Sequence, residues 1–299
     1  ESLAVVTSLI TDQRGDDPGS SATVSLVDLG ALKRVAAIRL PAGSTSVREA
    51  VVSPDGRWAY VAHALGRFNV PTTQLERGWV NTNALSILDL RAKALYATLL
   101  LDHPHEGAAD PWATVLSKDG KTLWISLAGP HQVARIDLAR LHPLLEGSSS
   151  EVPDKPSEEY RISTQSVWFE VKRDPKQREE LVNDLAALHS LDLIEKTPLP
   201  GKGPRGMDLA PDGSRLAVAA YFAGSIYLTE PMTGKVAATF ALGPERKPDP
   251  VRQGEIHFHD ATLCFQHWLS CSSCHPDGRA DGLNWDLLND GMGNPKNTK

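Results

Sequence analysis

The residues best equipped for chemistry stand together near the end of the chain, in Cys271-Ser272-Ser273-Cys274-His275. Two thiols three positions apart, with an imidazole beside the second, suit one reaction in particular. The thiols add to the two vinyl groups of a haem and fix the ring, and the adjacent histidine supplies the proximal nitrogen to the iron. A zinc site would need a second pair of nitrogen or sulfur ligands at knuckle spacing. His257, His259 and His267 do not fall at ribbon or finger intervals. A thioredoxin-like dithiol belongs between a strand and a helix, a context the flanking sequence lacks. The expectation is covalent haem c on Cys271 and Cys274, with His275 on the iron.

Other residues could join this chemistry, and each also has a plainer explanation. Met292, 17 residues after His275, is the downstream sulfur candidate for a sixth ligand. A thioether there would raise the potential, whereas a packing methionine in a Gly-rich turn explains it as well. His257, His259 and His267 could approach a haem edge or its propionates, or sit as satisfied polar residues. Trp268 and Trp285 could wall a haem, or simply pack. The stretch Asp277-Gly278-Arg279-Ala280-Asp281-Gly282-Leu283-Asn284-Trp285-Asp286 offers carboxylates and an amide suited to Ca²⁺, but not at EF-hand spacing. Arg14-Gly15-Asp16 reads as an ordinary acidic loop. Cys264, the third of three cysteines, lies in an apolar segment and reads as a buried free thiol. So few cysteines do not make a disulfide framework.

The elements that must position these residues repeat. Val51 to Ala62, Val115 to Ser126 and Leu209 to Ala219 each read as an apolar strand, a tight Asp-Gly turn, then a strand of alternating apolar positions. A strand ending in Asp-Leu follows: Ser86 to Leu90 after the first, Ala134 to Leu138 after the second. Ser225 to Thr229 follows the third with the acid lost, and a lone copy runs from Val24 to Leu29. A last strand, such as Val35 to Leu40 or Val236 to Leu242, closes the unit. Four strands per unit is a propeller blade, with a usual period of about 40–50 residues. A β-sandwich would share the turns but not this repeated order. The turn aspartates Asp55, Asp119 and Asp212 are 64 and 93 residues apart, so both intervals carry insertions. One is polar, Gly66 to Asn83. The other spans about 141–203, with a helix expected over Asp174 to Leu188, capped by Asp174 and opened by Pro175.

The fold expected is therefore mainly β. A β-propeller portion covers 1–247, about four blades of about seven, starting mid-blade at Glu1. Arg246 to Val251 reads as a linker. Residues 248–299 read as the start of a small, incomplete α-helical cytochrome c segment. The chain has 299 residues and a net charge of −6, with no basic cluster, which argues against nucleic acid as a partner. No apolar run is long enough to span a membrane. Haem attachment to such a motif takes place outside the bacterial cytoplasm, and residue 1 is Glu. A removed export segment and a periplasmic or cell-surface location are expected.

Gly254, Ile256, Phe258, Asp260, Leu263 and Ser270 to His275 match in order the run before the first haem of the bacterial dihaem cytochrome c peroxidase family. The segment resembles that family. The propeller half resembles bacterial surface or periplasmic propellers whose YVTN-like repeats read like Ser53-Pro54-Asp55-Gly56. The resemblance implies a haem c oxidoreductase with a displaceable sixth iron position, a second haem c beyond residue 299, and Ca²⁺ near the haem interface. It implies as partner an electron-donor or electron-acceptor protein, or a small oxidant such as peroxide. This sequence departs from the family in its single Cys-x-x-Cys-His, in Cys264 where serine is common, and in the 24 residues that follow His275. The alternative is a non-enzymatic electron carrier, or a protein- or glycan-binding propeller with one haem. On either reading the segment after Asp277 is expected to have few core contacts of its own, because it is rich in Gly, Asn and Asp.

Overall fold

The computed structural model describes residues 2–72, 79–155, 157–161, 163, 165–244, 247–288, 291–293, 295 and 297–298. Part of the polar insertion (73–78) and the first residue of the expected linker, Arg246, lie outside them.

Alternating apolar residues and Asp-Gly turns build four antiparallel sheets. The first holds β1 (Leu3–Thr7), β2 (Thr23–Asp28) and β3 (Lys33–Arg39). The second holds β4 (Ser44–Thr45), β5 (Ala50–Val52), β6 (Trp58–Gly66), β7 (Asn81–Asp89) and β8 (Ala94–Leu100). The third holds β9 (Pro111–Leu116), β10 (Thr122–Leu127), β11 (Gln132–Asp137) and β12 (Ile194–Pro198). The fourth holds β13 (Pro204–Leu209), β14 (Leu216–Ala220), β15 (Ser225–Thr229) and β16 (Val236–Ala241). The three Asp-Gly turns join β5 to β6, β9 to β10 and β13 to β14, the same step in successive blades. Gly56, Gly120 and Gly213 take φ of 67°, 72° and 74° there, a region open to glycine at little cost. The aspartates fold back on the turn. Asp55 accepts from Ser53 Oγ and Arg57 N, Asp119 from Ser117 Oγ and Lys121 N, and Asp212 from Ser214 N and Oγ.

The Asp that recurs at the end of the third strand in the first three blades also has a physical role. Asp28 accepts the Gly30 and Ala31 amides, and Asp89 those of Arg91 and Ala92, so each closes the turn into the fourth strand. In the third blade the same carboxylate, Asp137, instead caps α1 (Leu138–Leu145) by accepting from Arg140 N. The large insertion enters at that point and returns at β12. It therefore occupies 138–193, inside one blade, rather than 141–203. It contains α1, α2 (Glu158–Arg161) and α3 (Ser166–Arg173). The expected helix over Asp174 to Leu188 is a 3₁₀ run, Pro175–Asn183. Asp174 caps it as foreseen, but Leu181 is its one buried residue, and a run with a single apolar anchor has no stripe to hold an α-helix on a core.

Packing follows from strand periodicity. On β6, Ala59 and Val61 face Val24, Leu26 and Ile38 of the first blade, while Tyr60 and Ala62 face Leu123, Ile125 and Ile136 of the third. The insertion seals the second of these cores with Leu141, Leu144, Trp168 and Leu188. Trp124, Val133, Leu216 and Val218 fill the gap between the third and fourth blades. Among the described residues no helix is long and apolar enough to cross a membrane.

Three desolvated histidines, His63 on β6 and His142 and His189 in the insertion, are kept neutral. Desolvation lowers His63, His142 and His189 each to about 4. His63 sits between the Ala64 carbonyl and the Ser86 hydroxyl, and His142 meets the Tyr60 hydroxyl at 2.7 Å. Unfolded, each would titrate near 6.5. The unfolded chain then holds more protons below that pH, so stability is full above about pH 6.5 and falls as the pH drops toward 4. Asp102, raised by burial, opposes this at the acid end. Urea midpoints should decline between pH 7 and pH 4.5. A flat profile would mean that these histidines titrate normally in the folded protein.

Candidate haem-attachment site

After the fourth blade the chain forms α4 (Pro250–Phe258). Asp249 caps it by accepting from Arg252 N, and Pro250 fits its first turn, so the expected linker already becomes helix at residue 250. Short 3₁₀ turns at Ala261–Leu263 and Phe265–His267 lead to α5 (Cys271–Cys274). A two-stranded ribbon, β17 (Asn284–Trp285) with β18 (Asn297–Thr298), follows.

The two residues between the cysteines explain why α5 forms. Ser270 Oγ accepts from Ser272 N, and Ser273 Oγ accepts from Ser270 N, which makes a reciprocal cap. The serine hydroxyls then converge on one buried carboxylate of the propeller. Asp110 accepts from Ser270 Oγ at 2.6 Å, Ser272 Oγ at 2.9 Å and Ser273 Oγ at 2.6 Å. With the serines turned inward, the cysteines at i and i+3 share the other side of the turn. Cys271 is exposed and Cys274 half-buried, its Sγ 3.0 Å from the Asn81 amide nitrogen. His275 is exposed, and its Nδ1 donates to the Arg279 carbonyl at 3.2 Å. That bond orients the ring and leaves Nε2 available to a metal, the usual arrangement of a ligating histidine.

The rest of the segment is tied to the blades. Asp260 is buried, receives Lys202 Nζ and caps the Ala261–Leu263 turn. Burial alone would raise its carboxyl, but Lys202, Thr262 and His131 outweigh this and hold it below the ordinary range. Gly107 N donates to the Gln266 carbonyl at 2.7 Å. A Cβ on Gly107 would come within 2.3 Å of the Trp268 Cα, so only glycine permits this approach. Leu283 and Trp285 are fully buried with Phe68 and Val80, and Trp285 Nε1 donates to Asp281 at 2.7 Å. The expectation of few core contacts after Asp277 is corrected there: two apolar side chains reach the propeller and make a core with it.

The remaining candidates separate. Met292 is 73% exposed in a turn between the ribbon strands, not tucked toward His275. His257 is exposed on α4, His259 is buried beside Phe222, and His267 Nδ1 lies 3.5 Å from Glu106. Trp268 is buried, and Cys264 is half-buried rather than buried. The carboxylates of the calcium candidate go to different partners: Asp277 to Arg48, Asp281 to Leu283 N and Trp285, Asp286 to Leu288 N and Gly293 N. Among the described residues no group of three acidic, His or Cys side chains is placed to hold a metal ion. Sequence reasoning missed Asp110, just before β9, and Asn81, on β7, both far from the motif in sequence.

The Cys271 and Cys274 thiols and the His275 imidazole are placed as a c-type haem would require. Both sulfurs lie on one side of a capped turn, neither is closed off by packing, and the histidine is oriented through Nδ1.

No protein-family model matches the chain. Over 204 residues it is 26% identical to hydrazine synthase subunit beta of Kuenenia stuttgartiensis, covering 68% of this chain and 46% of that protein. Over 54 residues it is 46% identical to hydrazine synthase subunit gamma of the same organism, covering 18% of this chain and 15% of that one. The chain thus spans less than half the length of each curated relative. A solved structure of Kuenenia stuttgartiensis hydrazine synthase superposes with a TM-score of 0.53 at 24% identity, over 76% of this chain and 55% of that one, a likeness of fold. The chain is a β-propeller protein, similar in sequence to two different subunits of one enzyme.

Proposed function

We propose that this chain is an exported haem c oxidoreductase in which the propeller is the platform that fixes the attachment turn and docks a partner. The observation that carries the reading is the Cys271–His275 turn, capped by its own serines and clamped to Asp110. Cys271 and Cys274 would hold the group through thioether bonds, and His275 Nε2 would face the iron. The bound group would supply one-electron chemistry. The Arg279 carbonyl keeps the His275 ring in register through Nδ1, and the Asn81 amide steadies Cys274. Similarity to two hydrazine synthase subunits supports work inside a multi-subunit redox enzyme, with a protein as the electron partner. Peroxidase-like activity, which the family resemblance implies, belongs to this reading and would need an iron that an oxidant can reach. A second haem c remains part of the proposal, as does a periplasmic or surface location; a bound Ca²⁺ does not, because Asp277, Asp281 and Asp286 go to separate partners.

The test is coordination. Protein matured in a periplasmic haem-attachment system should give a ferric spectrum that changes on adding cyanide, and should oxidise a reduced donor with peroxide. A ferric form that ignores cyanide and peroxide would shift the assignment to an electron carrier.

A further inference from the structure

We infer that a cleft beside the attachment turn is a carboxylate-binding site anchored by Arg205. Arg48, Trp112 and Arg205 each stand eight residues before a turn glycine, Gly56, Gly120 and Gly213. Each also follows by two residues a left-handed position: Ser46 at φ 57°, Asp110 at 56° and Gly203 at 68°. The inner strand of each blade is interrupted there. It is split into β4 and β5 in the second blade. Its register slips against Ile125 and Leu127 in the third, and between Pro204 and Gly206 in the fourth. Such bulges re-aim side chains. Here three successive blades aim equivalent residues at one place.

The result is a stack. The Arg48 guanidinium lies 3.5 Å from the Trp112 ring centroid, and that of Arg205 lies 4.2 Å from it. Arg205 is also 4.2 Å from Tyr221 and 4.8 Å from Phe222, and Arg252 covers the same two rings at 4.4 Å and 4.9 Å. Flat rings hold the Arg205 fork rigidly. The neighbouring cations have anionic partners, Arg48 with Asp277 at 3.0 Å and Arg252 with Glu255 at 2.6 Å. Arg205 has no ion-pair partner among the described residues, and its Nε and Nη2 are buried without an acceptor. A partly buried cation with unused donors is unfavourable until an anion meets it.

Arg205 lines a cleft of about 510 Å³ together with Glu255, Phe258, His259, Asp277 and Gly278. With the two acids neutralised by Arg48 and Arg252, one positive charge is left over. A planar fork with one unmatched charge, among aromatic walls, selects a carboxylate. Two sources carry that chemistry. One is a propionate of the haem attached at Cys271 and Cys274, since Asp277 and Gly278 follow His275 within three residues. The other is a free carboxylate ligand. The first source rests on the haem reading above; the second does not.

Matured wild-type protein and Arg205→Gln separate the sources. If a propionate sits there, Arg205→Gln shifts the propionate bending band in resonance Raman, and Arg205→Lys restores it partly. If the cleft takes a free carboxylate, succinate binds wild-type protein by calorimetry and binds Arg205→Gln at least about tenfold more weakly. Protein that carries no haem still reports through the succinate arm, so failure of the haem reading and failure of this inference give different results. An unchanged propionate band together with equal or no succinate binding in wild type and variant overturns the site. Should Arg205→Gln fail to fold, Arg205→Lys carries the comparison, because it keeps the charge but loses the fork.

Discussion

Replacing Asp110 with asparagine is expected to destabilise the protein by about 2–4 kcal/mol and to release the attachment turn from the propeller. Asp110 is buried and accepts hydroxyl hydrogen bonds from three buried serines, Ser270, Ser272 and Ser273. An amide has one acceptor atom where the carboxylate has two, and no charge to strengthen the bonds. Backbone strain does not enter, because asparagine tolerates the left-handed φ of 56° that Asp110 adopts. Urea unfolding gives the loss in stability, and hydrogen exchange gives its location. The amides of residues 270–275 should lose protection before those of the blades. If Asp110→Asn unfolds at the wild-type urea concentration with these amides still protected, the clamp is incidental.

Trp285→Ala should cost about 3–5 kcal/mol, the range for truncating a large buried aromatic. The ring is fully buried with Phe68, Val80 and Leu283, and its edge rests on Gly66, where a Cβ would come within 2.9 Å of it. Truncation opens a cavity and removes one donor from Asp281. Trp285→Phe keeps most of the volume but takes the indole donor from the buried Asp281 carboxylate, and should cost about 1–3 kcal/mol. Thermal unfolding of both variants checks the pair. Equal shifts for Ala and Phe would mean that the hydrogen bond, not the packing, holds the segment after His275.

The contrast between Asp55 and Asp110 shows what the sequence makes legible. Asp55, Asp119 and Asp212 act within their own turns, so a local pattern is enough to find the hairpins and, from their order, the blades. Asp110 acts on serines 160 or more residues away, and no local pattern reports that. The Asp-Leu strand ends were visible as a repeat, but not that Asp137 would cap a helix where Asp28 and Asp89 close turns. The run from Asp174 to Leu188 carried a cap, a proline and leucines. It settles as a 3₁₀ run because Leu181 is the one buried residue of Pro175–Asn183, too little to hold an α-helix on the core. Trp285 was legible as a packing residue, whereas Leu283 was hidden by the Gly, Asn and Asp around it. Arg48, Trp112 and Arg205 occupy equivalent positions that counting back from each turn glycine could have found, had the alternation of the strands not drawn attention first.

The measurement that bears most directly on the central claim is the intact mass of the denatured protein after expression with a periplasmic haem-maturation system. Wild-type protein is expected to carry the mass of one haem through denaturation and acid-acetone extraction, and protein with Cys271→Ser and Cys274→Ser is expected to carry none. A wild-type mass equal to that of the unmodified chain, from cells that mature a control cytochrome c, would contradict the account.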